Sequence, residues 1–257
     1  MFLIKYILCT FFLLKILPTN AQSAFEDNFS REFTYGAGLT TNGGLPASIS
    51  FKYGKVKTAS TNTTLGIEIV GITHPKERKV SGKAPTGTGQ TQGGRSFVFG
   101  KTNYLYSIRP QYGVENILFR KASREGVQVS SVFAFGPSIG IIRPYMLLYD
   151  ISTSASSPNL QEVAYDPEVH LESRIYGRGG FLAGFGQSSL AIGANVRAAL
   201  SFEIGAFKNS ITGLEAGFTL EAFTNKITLM DNIDHSITNK NVFTAAYVTI
   251  YFGWRKE

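Results

Sequence analysis

The 257-residue chain is poor in the side chains that most often carry chemistry: one cysteine, three histidines, three methionines and one tryptophan. The single cysteine, Cys9, lies inside an apolar N-terminal run behind Leu8, which is not the setting of an acylated lipoprotein cysteine. Beyond it there is no thiol, so disulfides, thiolate metal centres and cysteine nucleophiles are excluded from the rest of the chain. Charge is also sparse. Asp, Glu, Lys and Arg make up 17% of residues, with a net charge of +7 to which Lys5 and Lys15 of the N-terminal run contribute. That mild excess does not point to a nucleic-acid partner. Past the N-terminal run no segment approaches the roughly 20 apolar residues of a membrane helix. Mean hydropathy is +0.02, a value that still allows a transmembrane barrel, because lumen-facing polar residues offset lipid-facing apolar ones.

The N-terminal run itself, "MFLIKYILCTFFLLKILPTNAQ", has a lysine, an apolar stretch, a proline, and small residues Thr19 and Ala21 at −3 and −1. It reads as a secretory signal peptide, residues 1–21, cleaved after Ala21. The mature chain, 22–257, is then an exported protein without disulfides, which fits a bacterial envelope better than a eukaryotic secreted domain.

What the chain has in abundance is glycine (27), phenylalanine (20) and tyrosine (12), arranged with a period of two. In "SSLAIGANVRAALSFEIG" the apolar Leu190, Ile192, Ala194, Val196, Ala198, Leu200, Phe202 and Ile204 alternate with small or polar residues. The same alternation marks Phe33–Leu39, Ile49–Tyr53, Leu65–Ile69, Tyr104–Arg109, Val127–Ile141, Leu214–Ala222 and Val242–Trp254. Pro110 marks a bend or an end of the fourth segment. Eight strands result, with connections alternating long and short, and long loops at about 74–95, 145–187 and 226–241.

Strand length separates a membrane barrel from a soluble sandwich. About 16 residues at about 3.3 Å each, tilted about 45°, cover roughly 37 Å along a barrel axis, enough for a hydrocarbon core of about 30 Å. The second face also differs from a solvated surface, which would carry Lys and Glu freely. Here it is mainly Gly, Ala, Ser and Thr, the small residues that fit a narrow lumen. The expected fold is all-β: an antiparallel, up-and-down transmembrane β-barrel of eight strands with both termini periplasmic.

The segments "YSIRPQYGVENILFRK" and "IYGRGGF" and the aromatic-rich last strand resemble the small outer-membrane barrels of the OmpA-transmembrane-domain and OmpX type. More closely still, they resemble the outer membrane beta-barrel proteins of Bacteroidota, whose signal peptides often end in Ala-Gln as Ala21-Gln22 does. The resemblance implies outer-membrane location and an insertion signal at Phe252 and Trp254 for the barrel-insertion machinery, although Arg255, Lys256 and Glu257 follow them. It implies little about activity.

Eight strands leave room for side chains rather than a wide channel. The inward set contains Lys52, Glu68, Arg109, Arg197, Glu203, Glu215 and Glu221, nearly balanced in sign. Buried charges need partners, so an internal ion-pair network that plugs the lumen is expected. Arg197 and Glu203 are expected inward, paired with glutamates of the next strand and with basic residues across the barrel. A narrow ion path is the alternative.

In the first long loop, Lys76, Arg78, Lys79 and Lys83 form a basic run suited to lipopolysaccharide phosphates or an acidic partner. "GQTQGGRS" has a P-loop look but lacks the strand–helix setting. "YDPEVHLE" offers Asp166 and His170, and "DNIDH" adds His235. Together they are a candidate loop interaction site and the basis of an alternative role as a lipid A or phospholipid hydrolase or acyltransferase. Their spacing carries no metal signature. No catalytic residue, cofactor or metal is assigned. The expected partners are the lipid bilayer, lipopolysaccharide, the insertion machinery and other envelope proteins. The expected role is non-enzymatic: an accessory subunit of a secretion or barrel-assembly complex, acting through loops such as "YMLLYD" and through the outer wall.

Overall fold

The computed structural model describes residues 30–43, 47–82, 94–120, 126–152, 158–204, 209–231 and 237–256. Residues 1–21, expected as a signal peptide, lie outside them. Eight long strands close into a barrel: β1 (Arg31–Thr40), β2 (Ser48–Thr58), β3 (Thr61–Ile72), β6 (Asn103–Phe119), β7 (Val127–Pro144), β11 (Ser189–Ile204), β12 (Ser210–Ile227) and β13 (Lys240–Lys256). Each pairs antiparallel with its neighbour in chain order. The ring closes where β1 meets β13, in register from Arg31↔Lys256 to Thr40↔Tyr247. Every strand of the ring therefore has a neighbour on both sides.

The period of two sets which side chains face outward. Leu190 is 73% exposed and Phe218 71% exposed, while Asn195, Arg197, Glu215 and Glu221 on the same two strands are buried. Leu39, Phe51, Leu65, Phe133, Ile192, Ile204 and Ile250 join the outward set. Aromatic side chains line the end that carries the chain termini: Phe33 packs on Tyr53 at 5.0 Å and on Trp254 at 5.8 Å, and Tyr35 lies 6.2 Å from Phe252. Phe252 and Trp254 are thus outward residues at the closing seam.

Pro110 does not end its strand; β6 runs on to Phe119. The reason lies across the seam. The flanking pairs Ile108↔Ile139 and Tyr112↔Phe135 place Pro110 opposite Pro137, so neither position has an N–H to offer the ladder. Asn195 mends the gap from inside. Its side-chain amide donates to the carbonyls of Gly136 (3.1 Å) and Pro137 (2.9 Å) and to the Ser138 hydroxyl (3.0 Å). Gln111 donates in turn to the Asn195 carbonyl at 2.7 Å. Gly136 is required here, because any Cβ would collide with the Pro110 carbonyl.

Two of the long loops are not irregular. They contain β4 (Lys79–Gly82), β5 (Gly94–Val98), β8 (Met146–Asp150), β9 (Leu160–Ala164) and β10 (Ile175–Arg178). β4 pairs with β5, and a three-stranded sheet runs β10-β8-β9. The two sheets pack as a cap over Phe97, Tyr145, Leu147, Tyr149, Tyr165 and Ile175. Tyr145, Leu147 and Tyr149 of "YMLLYD" are therefore core residues of the cap rather than partner-seeking surface. The third loop is shorter than its sequence suggests, because β12 extends to Ile227 and β13 begins at Lys240. What remains is tied to the cap base by a bridge between Lys101 and Met230.

Candidate functional site

The lumen is filled in three levels. At the end bearing the termini, Arg255 bridges Glu32 (2.6 Å) and Glu203 (2.5 Å). In the middle a chain of charges alternates in sign at every link. Lys52 on β2 meets Glu215 on β12 (2.5 Å), Glu215 meets Arg197 on β11 (3.4 Å), and Arg197 crosses to Glu68 on β3 (2.5 Å). Glu68 then meets Arg109 on β6 (3.1 Å), and Arg109 meets Glu221 on β12 (2.7 Å). Hydrogen bonds take up further lone pairs: Tyr247 donates to Glu215 at 2.7 Å and Ser107 to Glu221 at 2.5 Å. The Arg197 guanidinium also lies over the Tyr247 ring, 4.4 Å from its centre. A charge this deep is tolerated only with such partners.

The third level, toward the long loops, is apolar. Val70, Ile72, Leu105, Phe223, Ile227 and Leu229 form one buried cluster, with Ile142, Ala191 and Phe243 against it. Sequence reasoning did not single out this cluster, although Val70, Leu105 and Phe223 share inward parity with the charged residues. It also missed Arg255 and Glu32. Arg255 continues the inward series Tyr247, Thr249, Tyr251, and Glu32 the series Gly38, Gly36, Thr34, so the signal was present.

The loop residues separate. Lys76, Arg78 and Lys79 lie in the first loop at the cap, all three exposed, and Lys83 and His235 lie outside the described residues. Glu77 is bound to the buried Lys101 (2.7 and 2.8 Å), whose ammonium also lies 4.4 Å from the Tyr104 ring centre. Burial holds the Lys101 ammonium below the ordinary lysine range, against the pull of Glu77. Burial likewise pushes the Tyr145 hydroxyl up to about 12, while its oxygen accepts from the Val98 N–H at 2.9 Å. His170 is used locally: its Nδ1 accepts from the Asp166 N–H at 2.9 Å and its ring packs 4.6 Å from Tyr149. Asp166 accepts from the Glu168 N–H. These contacts hold a turn, and no group of three metal-ligating side chains gathers among the described residues. On the outer wall a shallow apolar groove runs between Val196, Ala198, Phe218, Leu220, Thr244 and Ala246.

The strand ladder defines an all-β, closed eight-stranded antiparallel barrel. Among solved structures, the chain is similar to Neisserial surface protein A, with 11% identity over 89% of this chain and 97% of that one and a TM-score of 0.38. It is also similar to Ail, the attachment invasion locus protein of Yersinia pestis, solved in complex with the heparin analogue sucrose octasulfate. There the identity is 9% over 88% of this chain and 97% of that one, with a TM-score of 0.35. No family model and no curated protein matches the sequence.

Proposed function

We propose that this chain is an integral outer-membrane barrel that carries no solute through its lumen and acts through its cap and outer wall. In this reading it is a non-enzymatic accessory subunit of an envelope assembly, such as one for secretion or barrel insertion. The observation that carries the reading is the lumen. A charge chain whose Glu68, Arg109, Arg197, Glu215 and Glu221 are all buried spans the cross-section, and an apolar stopper sits above it. A conducting path would need these groups hydrated; here they are bonded to one another.

The membrane part of the reading is supported by the outward faces. Monomeric soluble proteins rarely expose apolar patches beyond a few hundred Å², whereas here the apolar face continues around the wall. The termini and three of the four short turns share one end, which suits the periplasmic side, with the cap outside the cell. Phe252 and Trp254 then serve as the insertion signal, and the basic run of Lys76, Arg78 and Lys79 faces lipopolysaccharide. The cap offers an envelope partner a small apolar patch at Val169 and Leu171, both largely exposed.

Two measurements test this. Purified protein in a planar bilayer is expected to show no stable conductance, and large steady openings would overturn the sealed lumen. A tagged copy solubilised from native membranes is expected to bring down a defined envelope protein, and to lose it when Val169 and Leu171 are both changed to Asp. Recovery of background proteins only would sink the accessory role.

A further inference from the structure

The apolar face of the wall does not stop at the barrel rim on every side. Between β10 and β11 the chain forms a turn, "GGFLAGFGQ", that has no charged side chain. Phe181 is 79% exposed, Leu182 73% and Phe185 44%. Directly below, the outward residues Leu190 and Ile192 of β11 continue the same apolar surface down the wall. The turn is not loose. Gly180 donates to the Glu162 carboxylate on β9 at 2.8 Å, and local bonds Ala183→Gly180 (3.1 Å) and Gln187→Gly184 (3.1 Å) close it. Gly184 takes φ +82°, a conformation that favours glycine.

Arg143 pins the other side. It follows the outward Ile139 and Ile141 on β7 yet is only 3% exposed. Its guanidinium lies 4.4 Å from the Tyr104 ring centre, 4.7 Å from Phe185, 5.7 Å from Tyr106 and 5.8 Å from Phe181. It donates to the Phe181 carbonyl. Among the described residues no carboxylate forms an ion pair with it, and its Nε has no hydrogen-bond partner. The ring faces supply the attraction that a counter-ion would otherwise give. Arginine and aromatic rings placed together at the edge of an apolar band are the side-chain chemistry of a membrane–water boundary.

We propose that residues 180–187 form a wedge seated in the headgroup–acyl boundary of the outer leaflet, held against the wall by Arg143. The occupant of this surface is lipid, because the turn is continuous with the lipid-facing wall. The barrel is then taller in apolar surface on its β7–β11 side than elsewhere. The inference rests on the reading of the chain as a membrane barrel.

The test uses the full chain in phosphatidylcholine vesicles. Trp254→Phe removes the native reporter, and Phe181→Trp or Phe218→Trp introduces a new one, in the wedge or on the mid-wall respectively. Lipids brominated near the headgroup or deep in the chain serve as quenchers, with aqueous iodide as the counter-probe. The expected result is that the wedge indole loses most of its emission to shallow-brominated lipid and little to iodide, while the mid-wall indole loses most to the deep label. Quenching of the wedge indole by iodide alone, or by neither probe as under a protein partner or second copy, with the mid-wall indole still quenched by deep label, overturns the wedge and leaves the membrane barrel standing. Absence of lipid quenching at both positions sinks the membrane reading itself.

Discussion

Inside the barrel lie Glu68, Arg109, Arg197 and Glu215, while Leu200, Phe218 and Ile250 face outward. Inside the cap lie Leu147, Ile175 and Phe97, while Lys79 and Arg178 face outward. The two regions are inverted copies of one rule: each hides what its surroundings reject. For the cap the surroundings are water, and the hydrophobic effect assembles it. For the wall, on the proposed membrane reading, they are apolar, and the side chains that must be hidden are charged. The difference has an energetic consequence. The cap core is held by non-directional burial and tolerates imprecise packing at moderate cost. The lumen is held by directional pairs, where loss of one partner strands another.

Four substitutions or conditions sharpen this contrast, from the largest effect down. Arg109→Ala leaves Glu68 and Glu221 buried without their shared partner, and is expected to cost about 4 kcal/mol of barrel stability. Urea unfolding in lipid vesicles would show it, and a loss under about 1 kcal/mol would mean that the charges are solvated. Leu147→Ala is expected to cost about 3 kcal/mol, confined to the cap. Limited proteolysis should cut within 146–178 while the barrel's urea midpoint stays put, and a shift of that midpoint would show that cap and barrel unfold together. Asn195→Ala removes the amide that covers the Gly136 and Pro137 carbonyls and is expected to cost about 2 kcal/mol. Hydrogen exchange should rise selectively along β6 and β7; unchanged exchange there would count against the mending role.

The smallest effect concerns Lys101. Burial lowers its proton affinity in the folded state, so the folded chain sheds that proton before the unfolded chain does. The penalty is present in full at neutral pH and fades as pH rises through the lowered value toward the ordinary lysine value, and cap stability rises over that window. Cap proteolysis rates followed from neutral to alkaline pH should fall in the wild type and lose that trend in Lys101→Met. The same slope in both proteins would refute the assignment.

The wall was legible in the chain because alternation is a local signal. Leu190 to Ile204 announces its own two faces, and the same parity extended by a few residues reaches Glu32, Phe223 and Arg255. Where sequence reading fell short, the missing information was not local. The continuation of β6 past Pro110 depends on a proline in the neighbouring strand and an asparagine in the strand after it. The cap strands are short, too short to show a period; each pairs within its own loop, but the two small sheets cover one another from loops far apart in sequence. "YMLLYD" looked like exposed aromatic surface because nothing nearby states that Phe97 and Ile175 will cover it. Arg143 has outward parity and is still buried, since its cover comes from Phe181 and Phe185 in the turn before β11. His170 entered a candidate interaction site because its chemistry is legible and its use as a turn acceptor is not.

The seam that joins β1 to β13 sets a condition on how the molecule comes into being. The contacts that close the ring link opposite ends of the chain, so no partial product can have a closed circumference. Until the last strand arrives, β1 carries a row of unmet amides and carbonyls that an apolar medium penalises by several kcal/mol per group. Closure is therefore an all-or-none event with high contact order, slow by topology, and on the proposed membrane reading the open intermediate must be sheltered from the membrane interior until its final strand is delivered. A deletion confined to β13 would accordingly be read as failure of the whole barrel rather than loss of one strand's share of it.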